Sequence, residues 1–131
     1  AMDRTEQPVI RTAKQVYEYY YHQLCDEATE HSYALLLSQS SRILKSAHIS
    51  QGGLTEVMVD VRRILREALI NNAPCFILCH NHPGGSLCPS RQDDQLTANV
   101  KEAAKLMNIR MLDHVIITAS GYYSYADEGR L

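Results

Sequence analysis

An α/β fold, a mixed β-sheet flanked by helices, is the architecture this sequence predicts, and three features predict it. A short apolar run, Cys75 to Cys79, stops abruptly at His80, Asn81, His82, Pro83, Gly84 and Gly85. An uninterrupted run of strand-forming residues bounded by Asn, Pro and Gly reads as a buried central strand. Segments with apolar residues at helical spacing alternate along the chain with short strand-like runs, as expected where helices pack on a sheet. The third feature is size: 131 residues suit one domain that buries roughly two-thirds of its unfolded surface, so the core needs no disulfide or structural metal.

The elements follow in order. Ala1 ahead of Met2 reads as an expression remnant, residues 1–10 as a flexible N-terminal segment and 11–131 as a single domain. Thr12 to Ala28 predicts a helix: Val16, Tyr20 and Leu24 recur every four residues, and Tyr17, Tyr19 and Tyr21 beside them read as a packing face. Tyr33 to Leu37 and Arg42 to Ile49 predict consecutive strands joined by a polar turn, Ser38 to Ser41. Gly52 and Gly53 break the pattern, and Thr55 to Val59 reads as a short strand. Asp60 is placed to N-cap a helix reaching about Asn72, followed by the central strand, Cys75 to His80. A helix from Ser90 to about Met107 comes next, and Arg110 to Thr118 with Tyr122 to Ala126 predicts a final hairpin around Ser120 and Gly121. No internal repeat or interdomain linker interrupts this series.

The exit of the central strand carries the chemistry. Residues two apart on an extended segment face the same way, so His80 and His82 can converge on one ion. Asp93, arriving from the next element, supplies a carboxylate oxygen. Two His and one carboxylate make a catalytic zinc shell, with the fourth tetrahedral position left for water. Such a shell lowers the pKa of its water to about 7 and polarises a carbonyl oxygen. The cofactor expected is therefore one zinc ion per chain.

Read as His, any residue, His, seven residues, Ser, two residues, Asp, the segment His80 to Asp93 resembles the JAMM signature of JAB/MPN metalloproteases. His80-Asn81-His82-Pro83, then Gly85, Pro89, Ser90 and Asp93, is similar to the bacterial RadC-like JAB domain. Leu112, Asp113 and His114, and later Tyr123, Ser124, Tyr125 and Gly129, fit that family's closing segment. The resemblance runs from about Ile10 to Leu131 and implies a three-layer JAB/MPN sandwich of the cytidine-deaminase-like kind. It also implies hydrolysis of a peptide or isopeptide bond in a peptide or protein substrate. A glutamate at the start of the first long strand serves as general base in that family. Glu30, just ahead of Tyr33 to Leu37, is the candidate here, with Glu27, Glu56 and Glu67 as competitors. By the same resemblance Ser90 donates to the oxyanion on the attacked carbonyl, an effect worth about 3 kcal/mol where such donors have been removed. One departure is plain: chains of that family usually carry Pro-Arg-Glu at the start of the helix after Asp60, where this chain has Val61, Arg62 and Arg63.

Each residue has a plainer reading too. Ser90 followed by Asp93 is also close to a capping box, a role compatible with the site. His80 and His82 could be polar loop residues, and Glu30 a solvated residue after a helix. Asp113 and His114 read either as a second acid/base pair or as residues that begin or interrupt a strand, with His114 held by a structural hydrogen bond. Cys88, in the loop before Ser90, could ligate or inhibit a nearby zinc.

Composition narrows the classes. Charged residues at 21% and a formal net charge of −2 give no strong field, so affinity for nucleic acid or an anionic membrane is unsupported. Arg62, Arg63 and Arg66 read as a solvated helix face. The four cysteines, Cys25, Cys75, Cys79 and Cys88, lack metal-ribbon spacing, and no signal peptide or membrane-length apolar run is evident, so a cytoplasmic setting is expected. A zinc nucleobase deaminase needs His-x-Glu and Pro-Cys-x-x-Cys, which are absent. The remaining rival is a DNA-repair-associated or protein-binding module without catalysis. A helical DNA-associated region precedes this domain in many RadC-like proteins, and none fits before Thr12.

Overall fold

Among the described residues, the apolar run from Cys75 becomes the middle strand of a five-stranded sheet. In a computed structural model, which describes residues 7–52 and 59–131, the strands lie in the order β2-β1-β3-β4-β5. They are β1 (His31–Leu37), β2 (Ile43–Gln51), β3 (Cys75–Asn81), β4 (Arg110–Thr118) and β5 (Gly121–Ser124). β3 is antiparallel to β1 and parallel to β4, so the sheet is mixed. Every residue of β3 is buried, which is why its sequence is apolar throughout and does not alternate.

Among the described residues, three helices cover the two faces. α1 (Ala13–Leu24) opens with a capping box between Thr12 and Gln15 and buries Ala13, Val16, Tyr20 and Leu24. These pack with Leu35, Leu37, Ile77, Cys79 and Val115 on one face of the sheet. The expected extension of this helix to Ala28 does not form: Cys25 is its C-cap, and Asp26 and Glu27 would place carboxylates at the negative end of the helix dipole. On the opposite face, α2 (Val61–Ile70) and α3 (Arg91–Leu106) pack Ile64, Ala68, Val100 and Ala104 against Ala34, Leu36, Phe76 and Leu78.

α2 and α3 end alike, and the endings aim the chain back into the sheet. Asn72 and Asn108 adopt left-handed φ angles of 52° and 58°. The next residue then donates back to the last turn, Ala73 to Ala68 and Ile109 to Ala104, at 2.8 and 2.9 Å. This is the Schellman arrangement, with Asn at the left-handed position and a buried apolar residue after it. It delivers the chain into β3 and β4 respectively.

The expected elements largely match. β2 begins one residue later than expected and runs to Gln51, and β5 is confined to Gly121–Ser124. Ser38 to Ser41 makes the β1–β2 turn, with Ser41 at a φ of 66°. The expected strand from Thr55 falls mainly outside the described residues, as does Glu56. Within the N-terminal segment expected to be flexible, Val9 bridges to Arg42, and Ile10 donates to the Ser41 carbonyl at 2.8 Å; residues 1–6 lie outside the described part.

Candidate metal centre

His80 and Asn81 end β3, and His82 follows as the chain leaves the sheet, its N–H donating to the Ile117 carbonyl of β4 at 3.0 Å. The extended backbone turns both imidazoles to the α3 side. Their Nε2 atoms stand 2.9 Å apart. Asp93, in the first turn of α3, meets both: Oδ1 is 3.3 Å from His80 Nε2 and Oδ2 is 3.1 Å from His82 Nε2.

The capping box expected at Ser90 places that aspartate. Ser90 Oγ accepts from the Asp93 N–H at 3.0 Å, and Asp93 Oδ2 accepts from the Ser90 N–H at 2.9 Å. One carboxylate oxygen is thereby fixed to the helix start while the whole group faces the imidazoles. Burial pushes the Asp93 carboxyl up, but His80, His82 and the Ser90 N–H outweigh it and hold it well below the ordinary carboxylate range. Burial likewise pulls the His82 imidazole down, and Asp93, the Ser86 carbonyl and Glu30 more than offset that and raise it. The cluster therefore draws in positive charge.

Glu30 comes from the residue before β1. Its Oε1 lies 3.8 Å from His82 Nε2, and Glu30, His80 and His82 each offer a ligand atom within 4.8 Å of the others. Of its competitors, the two among the described residues are elsewhere. Glu67 pairs with Lys45 at 2.8 Å on α2, and the half-exposed Glu27 lies 3.4 Å from His31 on the β1–β2 side. Cys88 is exposed, its Sγ 3.6 Å from the Pro89 carbonyl.

The donor set suits a divalent cation. His82 Nδ1 must donate to the Ser86 carbonyl at 2.8 Å, which in the neutral ring leaves Nε2 as a lone pair aimed at the cluster. Asp93 Oδ1 is buried without a hydrogen-bond partner, and such an orphan is satisfied by an ion or a water molecule. Two imidazole nitrogens with one or two carboxylates are a familiar zinc-binding set.

These distances put the residues of the His80-to-Asp93 signature together in space, and comparison with known proteins matches the same region. Residues 10–130 match the RadC-like JAB domain family. The chain belongs to that family. Among similar proteins, a UPF0758 protein of Porphyromonas gingivalis is 46% identical over 82% of this chain and 48% of its own length. A UPF0758 protein of Flavobacterium johnsoniae is 43% identical over 76% of this chain and 44% of its own. One from Chlorobaculum tepidum is 37% identical over 93% of this chain and 55% of its own. The chain thus spans about half the length of the curated relatives it matches. These relatives are bacterial. Among the described residues, no helix is long and apolar enough to cross a membrane.

Sequence reasoning gives Asn81 no role and does not name the partners of the structural hydrogen bond expected at His114. Asn81, between the two histidines, points to the other side: its Oδ1 accepts from His31 N at 2.7 Å and its Nδ2 donates to the Thr29 carbonyl at 3.0 Å. It clamps the backbone on either side of Glu30. His114 of β4 contacts His80 Nδ1 through its Nε2 at 2.8 Å and Thr97 Oγ1 through its Nδ1 at 2.6 Å. Burial holds the His114 imidazole well below its ordinary pKa. Asp113 beside it is not part of an acid/base pair with His114: its carboxylate accepts from Ser124 Oγ and from the N–H groups of His114 and Ala126.

Proposed function

We propose that this chain is a zinc-dependent hydrolase of peptide or isopeptide bonds, acting through the domain at residues 11–131. The observation that carries the reading is the difference between its two carboxylates. Asp93 touches both imidazoles at 3.1 and 3.3 Å, whereas Glu30 stands back at 3.8 Å from the nearer one. His80, His82 and Asp93 would hold the zinc ion, one per chain. When bound, zinc supplies Lewis acidity, polarising a carbonyl and acidifying water toward neutrality.

The chain's own residues supply the rest. Glu30 takes the proton of the attacking water and returns it to the leaving amine, for which hydrogen-bond reach matters more than intrinsic basicity. Ser90 Oγ accepts from Asp93 N, and a hydroxyl that accepts still carries its own proton. That proton is the donor for the oxyanion that forms on the substrate carbonyl. Asp93 orients its carboxylate through the capping box and leaves Oδ1 for the ion. The substrate is a peptide or protein. The free cysteines, two of them buried, support a reducing cytoplasm as the setting.

The test is turnover of a panel of peptide and lysine-linked isopeptide reporters by zinc-loaded protein, with Glu30→Gln as control. Hydrolysis lost in that variant while zinc is retained supports the reading; equal hydrolysis by the variant removes Glu30 from it.

One observation favours a second reading, a DNA-repair-associated or protein-binding module without catalysis. Leu69 and Ile70 at the end of α2, and Leu106 and Met107 at the end of α3, are large apolar side chains left exposed, the kind of surface a protein partner covers. The net charge of −2 lends the DNA version no support.

A further inference from the structure

Behind His80 lies a chain of hydrogen bonds whose direction can be read from one end. Thr97 Oγ1 donates to the main-chain carbonyl of Asp93 at 2.8 Å. A hydroxyl has a single proton, so toward His114 Nδ1, at 2.6 Å, the same oxygen accepts. The ring proton of His114 is therefore on Nδ1. His114 is fully buried, and its ring hydrogen-bond partners, Thr97 and His80, are not anions. A charged imidazole in that position would be costly. The neutral ring leaves Nε2 as an acceptor, and 2.8 Å away His80 Nδ1 must donate to it. In a neutral His80 ring Nε2 is then a lone pair, directed to the side where Asp93 Oδ1 lies at 3.3 Å and His82 Nε2 at 2.9 Å.

The series closes on itself. It begins at the main-chain carbonyl of Asp93 and ends beside that residue's carboxylate. Tyr125 stacks on His114 with ring centres 5.0 Å apart and planes within 7°, and its hydroxyl donates to Asp94 at 2.7 Å. The plane of the relaying imidazole is thus set by a ring that is itself anchored to α3.

We propose that Thr97 and His114 are positioning residues that fix His80 as the Nδ1–H tautomer and so present its Nε2 lone pair to a divalent cation. The proposal deepens the zinc-hydrolase reading and rests on it only for the identity of the cation. Ligating histidines ordinarily have the second ring nitrogen held by a carboxylate, a carbonyl or water. Here a neutral second imidazole, itself oriented by a threonine, takes that place.

The experiment has two arms. Nitrogen-15 NMR of the zinc-free wild-type protein, titrated to a pH at which His80 is neutral, should show both His80 and His114 protonated on Nδ1; a neutral His80 with its proton on Nε2 overturns the relay, whatever the protein binds. In the second arm, zinc affinity is measured by chelator competition. Thr97→Val should weaken it by about 10–100-fold, the usual cost of losing an outer partner, with unchanged far-UV circular dichroism, and Thr97→Ser should restore it. Unchanged affinity in Thr97→Val overturns the proposal. Should Thr97→Val fail to fold, the wild-type spectrum decides alone. A wild-type protein that takes up no zinc contradicts the hydrolase reading instead, and leaves the tautomer result to judge the relay.

Discussion

Asn81 Oδ1 accepts the main-chain N–H of His31 at 2.7 Å, tying the exit of β3 to the start of β1. Its Nδ2 holds the Thr29 carbonyl at 3.0 Å. The two bonds bracket Glu30, so the residue between His80 and His82 governs where the proposed base stands. Asn81 is buried, and replacement by Ala would leave the His31 N–H and the Thr29 carbonyl without these partners. Each such loss costs about 1–3 kcal/mol. Asn81→Ala should therefore lower stability in urea denaturation and reduce turnover, while zinc content stays near wild type. Loss of zinc together with turnover would mean that Asn81 supports the histidines and not Glu30.

Ser90 is the N-cap of α3 and the proposed oxyanion donor, two roles that differ in size. As N-cap of α3, its replacement by Ala costs about 1 kcal/mol of stability. As oxyanion donor, its loss should lower kcat by about 10²–10³-fold. Ser90→Thr, which keeps the hydroxyl, should recover most of both. A Ser90→Ala variant with near-normal kcat and a modest drop in denaturation midpoint would leave capping as its whole contribution.

Zinc should stabilise the folded chain because the clustered donors exist only there. An ion held by the native state alone adds about 2.7 kcal/mol at a concentration 100 times its Kd. Thermal melts should shift upward with added zinc and downward with chelator, and His82→Ala should abolish both shifts. A wild-type melting temperature indifferent to zinc would contradict the donor geometry.

Asp113 gives a pH dependence away from the centre. Burial raises its carboxyl above the ordinary value of 3.8, and the bonds from Ser124, Ala126 and His114 oppose that without cancelling it. The unfolded chain thus ionises first. Asp113's contribution to stability is fully present below that ordinary value and is lost as pH rises through the raised folded one. Urea midpoints measured between about pH 3.5 and 7 should show a smaller loss on raising the pH for Asp113→Asn than for the wild type. Parallel profiles would contradict the raised value.

The parts of the site legible in the sequence are those set by local spacing. His80 and His82 share a face because β3 is extended, and Ser90 with Asp93 forms a capping box because a helix must start there. Glu30 was reachable only through the family resemblance, since nothing nearby in the sequence marks it. The structural hydrogen bond expected at His114 is present, but its partners Thr97 and His80 are not legible, because their meeting depends on the parallel pairing of β3 with β4. That pairing shifts register between Phe76 and Ile77, with Leu112 as the extra residue, an irregularity that no alternation pattern announces. The end of α1 was overextended for a similar reason: apolar periodicity marks Val16, Tyr20 and Leu24 but does not register the unfavourable carboxylates of Asp26 and Glu27.

In the proposed mechanism Asp93 holds the ion and Glu30 moves the proton. Zinc content and reporter hydrolysis, measured on the same preparation of Glu30→Gln, test it most directly. The expected result is about one zinc per chain, as in the wild type, with kcat lower by about 10²–10⁴-fold. Wild-type turnover in that variant, or loss of its zinc, would contradict the division of labour between the two carboxylates.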